Sequence, residues 1–174
     1  MLRNEQIGTA EYKTKVNFWW VNQGRSFRIE REEDIISVPE RLSEMRTYPY
    51  FWENIHEVRN EDVIFHYVKG AIRAISRVVD DKIEKIQREK GVYKHERGLK
   101  VKVEYADIKV DYQDILCHFE EFKNTLRGKD NPFNCKRAVK QGYLFRFSPE
   151  GAKVIRAVYG KPFPLEIERY FKTK

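Results

Sequence analysis

The residues best suited to bind a planar ligand lie in one short stretch, residues 17–24, which reads Asn-Phe-Trp-Trp-Val-Asn-Gln-Gly. The run is too brief for a helix, and we predict a strand over residues 15–21. Side chains alternate along a strand, so Trp19 and Trp20 face opposite sides of the sheet. One tryptophan can anchor a core while the other meets a ligand. Alternatively, both rings belong to the core of a two-sided sheet, since an aromatic ring buries a large apolar area.

Two amides close this stretch. The side chains of Asn22 and Gln23 each offer two donors and an acceptor to the edge of a planar ligand. An aromatic face combined with an amide edge is how proteins read a nucleobase that has left its stack. The stretch therefore predicts a base-binding pocket at the end of the first strand.

Basic residues are interleaved with aromatic residues near several predicted strand ends. The basic residues concerned are Arg25, Arg28, Lys69, Arg73, Lys136, Arg137 and Lys140. On loops around an aromatic pocket, such side chains would hold phosphates while the pocket reads a base. A solvated surface explains each cluster singly, and their coincidence with the aromatic strand ends favours the binding interpretation.

The composition agrees with a polyanionic partner. The chain has 174 residues, a formal net charge of +7 and a pI near 9.3, and phosphate neutralisation dominates nucleic-acid affinity. Its length suits one domain, which we place at residues 15–160 between a lead-in (1–14) and a tail or linker (161–174). The two cysteines form no Cys-x-x-Cys pair and no long apolar run is present, so we expect a soluble cytoplasmic protein without structural zinc.

Several catalytic classes lack their usual motifs. The sequence has no phosphate-binding loop, dinucleotide fingerprint, His-Glu-x-x-His or Gly-x-Ser-x-Gly motif. His56, His66 and His118 have no converging partners at metal-ligand or catalytic spacing, so each is expected on the surface or satisfied in the core. We expect no cofactor and no catalytic site. A nuclease that uses the Asp and Glu runs is a weaker alternative.

The periodicity indicates about five or six strands with interspersed helices. Strand patterns cover residues 15–21, 35–38, 63–67, 71–79, 99–105 and 143–147, with Lys69-Gly70 as a hairpin turn. Helical patterns cover residues 51–58, 114–126 and 149–160, with a weaker one in 81–90, and residues 28–34 are expected to be a solvated charge run. No βαβ rhythm is present. The predicted class is α+β, a curled and mostly antiparallel β-barrel flanked by helices.

These patterns together resemble an EVE-type domain of the PUA-like group, which is related to YTH readers of methylated adenine. The resemblance is carried by Phe-Trp-Trp-Val-Asn-Gln-Gly at 18–24, Asn-Glu-Asp-Val-Ile-Phe-His-Tyr at 60–67, residues 70–78, and residues 141–150. More narrowly, the chain resembles the DNA-reading domain of archaeal McrB-type restriction GTPases. It departs from the pattern at Glu61, where relatives commonly have Gly, and at residues 36–39, where they often place a tryptophan.

The resemblance implies a pocket for a flipped, methylated base. By position, Trp20, Asn22 and Gln23 match the strand end that lines this pocket in relatives, and Trp52, Tyr67 and Tyr93 are further aromatic walls. It also implies a non-catalytic DNA-binding module, excised from a GTPase subunit that works with a nuclease. The expected ligand is 6-methyladenine in duplex DNA. An RNA reader of methylated adenine is the alternative, because the two share these features.

Overall fold

The computed structural model describes residues 15–88, 97–126 and 128–172. Six strands form one mixed sheet in the order β2-β5-β4-β3-β1-β6, in which β1 and β3 are parallel and the other neighbours are antiparallel. Their bounds are β1 Phe18–Asn22, β2 Ile35–Pro39, β3 Val63–Val68, β4 Ala71–Gln87, β5 Arg97–Asp111 and β6 Leu144–Phe147. The sheet curls into a half-barrel, which confirms the predicted α+β, PUA-like class.

Helices cover the sheet. They are α1 Phe27–Glu32, α2 Tyr50–Glu53, α3 Tyr112–Cys117, α4 Phe119–Phe122, α5 Pro149–Tyr159 and α6 Leu165–Glu168, with 3-10 turns at Asn54–Glu57 and Lys123–Thr125. Helix α5 begins as its sequence predicts: Ser148 Oγ accepts a hydrogen bond from Gly151 N at 3.0 Å, and the helix ends at Gly160 with φ of 70°. No helix in the described ranges is long and apolar enough to span a membrane.

Both faces of β1 are buried, each in a different core. Trp20 packs with Phe65 and Phe145 under helices α3 to α5, whereas Trp19 packs on the other face with Val58. Neither tryptophan has any exposed surface. The interpretation in which one indole meets a ligand directly is therefore wrong for this structure, because a hydrophobic core covers each face of β1.

Strand β4 continues well beyond its predicted end, and the helix predicted within residues 81–90 is absent as far as the described residues extend. Residues up to Gln87 pair with β5 instead, with Lys85 opposite Leu99 and Glu84 opposite Lys100. The Lys100 Nζ–Glu84 Oε2 ion pair measures 3.4 Å. Cross-strand pairing thus outweighs the weak helical spacing of the two isoleucines in this stretch.

Residues 28–34 are mostly solvated, as predicted, but they include a helix in which the Glu30 carboxyl group is buried. Helix α1 ends at Glu32, the chain reverses at Asp34 with φ of 52°, and Glu30 is only 2% exposed. Its burial is possible because three nearby residues and the distant Tyr143 supply hydrogen-bond donors to it.

The end of the chain that we predicted as a tail packs against the sheet over residues 163–171. Phe163 and Ile167 are buried in the core that contains Trp20. Arg156 of α5 holds Glu168 of α6 through two hydrogen bonds of 2.7 and 2.6 Å.

Truncation of Trp20 should lower the free energy of unfolding by about 3–5 kcal/mol, the cost of emptying a fully buried aromatic site. Urea denaturation of Trp20→Ala measures this change. Trp52→Ala is the matched control, because the same truncation at a half-buried ring removes fewer contacts. A loss below about 1 kcal/mol for Trp20→Ala would contradict the burial described above.

Candidate nucleic-acid interface

Two clefts open side by side where β1 ends. The Trp52 cleft, of about 660 Å³, is lined by Arg25, Ser37, Pro39, Phe51, Trp52 and Arg88. The Tyr67 cleft, of about 640 Å³, is lined by Tyr67, Lys69, Tyr112, Ala138, Val139 and Lys140. Asn22, Gly24, Gln141 and Gly142 line both clefts. We call residues 24 and 141–142 the wall, since the two clefts meet there.

Asn22 fastens this wall to the sheet. Its Nδ2 donates to the carbonyl oxygens of Lys140 at 2.8 Å and Gly142 at 3.1 Å, and its Oδ1 accepts from Trp20 Nε1 at 2.9 Å. Both amide donors are therefore used within the protein. Asn22 positions the wall, and this structure does not leave its amide edge free to read a base as predicted.

The Trp52 cleft combines aromatic, polar and basic groups. Trp52 is half-buried, with its ring centroid 5.9 Å from Phe51 and 5.4 Å from Tyr48. Ser37 lies at the floor, and Arg88 Nη2 donates to its Oγ at 2.8 Å. Arg25 is exposed at the rim, and none of the described residues that line this cleft is a carboxylate. A planar ring can stack on the tryptophan here while basic groups meet an anion.

A buried carboxylate organises the floor of the Trp52 cleft. Glu30 Oε1 accepts from Ser37 Oγ at 2.6 Å and from Ser37 N at 3.0 Å, and Tyr143 Oη lies 2.9 Å away. Glu30 Oε2 accepts from Ser26 Oγ at 3.0 Å and from Gln23 Nε2 at 2.7 Å. Burial raises the pKa of the Glu30 carboxyl, although hydrogen bonds from Ser37 and Gln23 and the charge of Arg88 act in the opposite direction.

Gln23 continues this network into the protein, away from the cleft. It has no exposed surface, and its Oε1 lies 2.5 Å from His66 Nδ1. His66 Nε2 lies 2.7 Å from Ser76 Oγ. Because Gln23 donates its amide to Glu30, the Nδ1–H of His66 must donate to Gln23 and its Nε2 must accept from Ser76. His66 is thus a satisfied core histidine, as expected.

The Tyr67 cleft offers a second aromatic surface. Tyr67 is half-buried, and its ring stacks on Trp20 with a centroid distance of 5.3 Å and an interplanar angle of 29°. Tyr112 meets Tyr67 edge-on at 5.7 Å. Lys69 is exposed at the β3–β4 turn, and Lys140 lines the other side with its Nζ on the carbonyl oxygen of Lys129 at 2.7 Å. The predicted pocket residue Trp20 therefore supports this cleft from behind.

The structure brings some of the predicted site residues together and separates others. Asn22, Arg25, Trp52, Tyr67, Lys69 and Lys140 line the clefts, Trp19, Trp20 and Gln23 are fully buried, and Tyr93 lies outside the described residues. Among the remaining basic residues, Arg28 pairs with Glu32 at 3.5 Å, Arg137 pairs with Glu120 at 2.6 Å, and Arg73 and Lys136 are exposed without lining either cleft.

The sequence interpretation did not identify Ser37, Phe51, Arg88 and Glu30 as site residues. Phe51 could have been found, because it precedes Trp52 in a run of aromatic residues on a short helix. Glu30 carries no local signal, since Ser37 and Tyr143 lie 7 and 113 residues away. In the described ranges, no three His, Cys, Asp or Glu side chains come together to hold a metal ion.

Comparison with known proteins supports the fold. No family model matches the sequence, and no curated protein matches it. Among solved structures, human THYN1 protein in complex with 5-methylcytosine-containing DNA is similar, with a TM-score of 0.52 and 8% identity over 83% of this chain and 98% of that chain. Two further structures also match. Rpa0253 from Rhodopseudomonas palustris has a TM-score of 0.48 and 11% identity over 83% of this chain and 94% of that chain. Atu2648 from Agrobacterium tumefaciens has a TM-score of 0.49 and 14% identity over 82% of this chain and 92% of that chain. At these identities the likeness concerns the fold alone.

The His66 ring should make the protein less stable in mild acid. Burial, with a smaller effect of the Arg31 charge, lowers the pKa of His66 from 6.5 to about 3. Below pH 6.5 the unfolded chain binds a proton at His66 and the folded protein does not. The free energy of unfolding therefore decreases as the pH is lowered. Between pH 6.5 and 4.5 the slope from His66 is at most about 1.4 kcal/mol per pH unit.

Between pH 6.5 and 4.5, the free energy of unfolding of His66→Gln should fall less on acidification than that of the unchanged protein, as measured by denaturation at each pH. Glu30, whose pKa is raised, contributes a slope of opposite sign in both proteins, so their difference isolates the imidazole. His56→Gln is the control, since that residue is exposed. Parallel curves for His66→Gln and the unchanged protein would show that His66 is not held neutral.

Proposed function

We propose that this protein is a non-catalytic DNA-binding module that recognises a modified base flipped out of the duplex into the Trp52 cleft. One observation carries the proposal: a cleft of about 660 Å³ places an aromatic ring beside a hydrogen-bonded serine floor, with Arg25 exposed at its rim and no carboxylate among its described lining residues. This combination suits a planar base that remains attached to a phosphate backbone.

The energetics of flipping are compatible with this cleft. Extrusion of a base costs a few kcal/mol, and stacking on an aromatic side chain returns about 1–3 kcal/mol per base. Contacts between phosphates and arginines such as Arg25 supply sequence-independent affinity, in keeping with a net charge of +7. Selectivity among bases must then come from groups within the cleft.

We propose 6-methyladenine as the modified base. Burial of one methyl group contributes about 0.8 kcal/mol, so pocket shape supports a modest preference for a methylated base. The choice of 6-methyladenine is supported by the resemblance to EVE and YTH-like domains. The similarity to the fold of human THYN1, whose structure holds DNA that contains 5-methylcytosine, supports a modified base in general and makes that base the main competitor.

In the cell, we propose that the module directs a cytoplasmic, modification-dependent restriction complex to its target. The GTPase motor and the nuclease would lie in other segments or subunits of that complex. This part of the proposal is supported by the resemblance to archaeal McrB-type proteins.

A binding panel tests the proposed ligand. The protein is titrated at one fixed salt concentration with four otherwise identical duplexes: unmodified, 6-methyladenine, 5-methylcytosine and 5-hydroxymethylcytosine. We expect the 6-methyladenine duplex to bind more tightly, and Trp52→Ala to remove most of that preference because the stacking surface is lost. Trp52→Phe retains an aromatic ring and should keep part of the preference for the 6-methyladenine duplex.

If another modified duplex binds more tightly, the proposed ligand is wrong and the proposed site is retained. Equal binding to all four, or an unchanged preference in Trp52→Ala, would contradict the proposed function. A matched RNA competitor that displaces the methylated duplex would indicate an RNA reader instead.

Arg25 should contribute affinity without selectivity. Arg25→Ala is expected to weaken binding to methylated and unmodified duplexes equally, and to reduce the slope of log affinity against log salt by about 1. The matched control is Arg28→Ala, since Arg28 is also exposed but pairs with Glu32 outside the cleft. Unequal loss on the two duplexes, or an equal effect of the control, would show that Arg25 does not act on phosphate at the rim.

A further inference from the structure

The Tyr67 cleft has the features of a second nucleotide site, and the function proposed above does not use it. Its volume, about 640 Å³, nearly equals that of the Trp52 cleft. Its described lining contains Lys69 and Lys140 and no carboxylate. An anionic ligand with an apolar, planar part therefore fits this cleft in charge and in shape.

The aromatic surface in this cleft is already held in place. Tyr67 is stacked on the fully buried Trp20 and braced at its edge by Tyr112, whose ring is also buried. The ring need not be immobilised when a ligand arrives, so stacking on it carries little cost in side-chain entropy. A base can stack on the half-buried Tyr67 ring without any rearrangement of the core.

The wall between the clefts is suited to a phosphate. None of the backbone N–H groups of Gly24, Gln141 and Gly142 donates to another group of the described residues. A Cβ at Gly24 would meet nothing within 4 Å, so a ligand can approach the backbone closely there. At Gly142, φ is 144° and a Cβ would lie 2.4 Å from Phe145 Cζ, so the wall requires glycine at this position.

We infer that the two clefts bind adjacent nucleotides of one DNA strand, with the flipped base in the Trp52 cleft, its neighbour on Tyr67, and the linking phosphate on the wall. The inference rests on the proposed function, because it takes the Trp52 cleft as the first site. We place the occupants on one strand because Asn22, Gly24, Gln141 and Gly142 line both clefts, so that ligands in the two clefts meet at the same residues.

Abasic substitution in the DNA tests this arrangement with the unchanged protein. Starting from the modified duplex that the panel selects, one nucleotide is made abasic on the 5′ side, on the 3′ side, or in the opposite strand. Removal of the base that stacks on Tyr67 should weaken binding roughly 5- to 150-fold, the range for one stacked base. Only one of the two same-strand neighbours should show this loss.

Variants of Tyr67 assign the loss to the cleft. Tyr67→Leu keeps an apolar side chain over Trp20 and removes the aromatic face. This variant should bind the intact duplex as weakly as the unchanged protein binds the abasic duplex. It should lose no further affinity on the abasic duplex. Tyr67→Phe is the matched control and should behave like the unchanged protein.

The outcomes separate the two proposals. If the modified base is preferred but neither same-strand neighbour matters, or if the loss is confined to the opposite strand, the second site is refuted and the proposed function stands. The second site is also refuted if Tyr67→Leu and the abasic substitution weaken binding additively. If the unchanged protein shows no preference for a modified base, the proposed function itself is refuted.

Discussion

The buried carboxylate of Glu30 is the constraint on which the Trp52 cleft depends. A carboxylate this deep in a protein is costly unless donors surround it, and here the hydroxyls of Ser26, Ser37 and Tyr143 and the amide of Gln23 do so. These donors come from the end of β1, the start of α1, strand β2 and the segment before β6. One carboxyl group thus links the two edge strands of the half-barrel, which share no strand pairing in the described sheet. Removal of a single donor leaves the buried carboxyl group incompletely hydrogen-bonded, so we expect the residues of the cleft floor to act together.

The side-chain amides in the 17–24 stretch also form their hydrogen bonds within the protein and not to a ligand. Asn22 uses both of its donors to fix the wall, and Gln23 links Glu30 to His66. The surfaces left for a ligand are the faces of Trp52 and Tyr67, the backbone of the wall and the basic rim. Such a surface recognises a base through stacking and shape more than through side-chain amides.

Much of the fold could be predicted from the sequence because its signals are local. The Lys69-Gly70 hairpin and the Ser148 cap of α5 depend on neighbouring residues alone, and both are confirmed. Alternation placed Trp19 and Trp20 on opposite faces but could not show that both faces are covered. Residues such as Glu30 were beyond prediction, because their burial depends on partners that only the folded chain supplies. The long β4–β5 ribbon was missed for the same reason: its charged residues are stabilised by cross-strand ion pairs that a single strand does not reveal.

The central claim is that a modified base leaves the duplex and enters the Trp52 cleft. The most direct measurement is the permanganate reactivity of the thymine opposite a single 6-methyladenine in a duplex saturated with protein, since permanganate oxidises thymines that have lost their partner and stacking. We predict strongly enhanced reactivity at that thymine with the unchanged protein, and little enhancement with Trp52→Ala at equal occupancy. Reactivity that stays at the level of free duplex, although the protein is bound, would contradict base flipping and reduce the site to a basic surface that binds intact DNA.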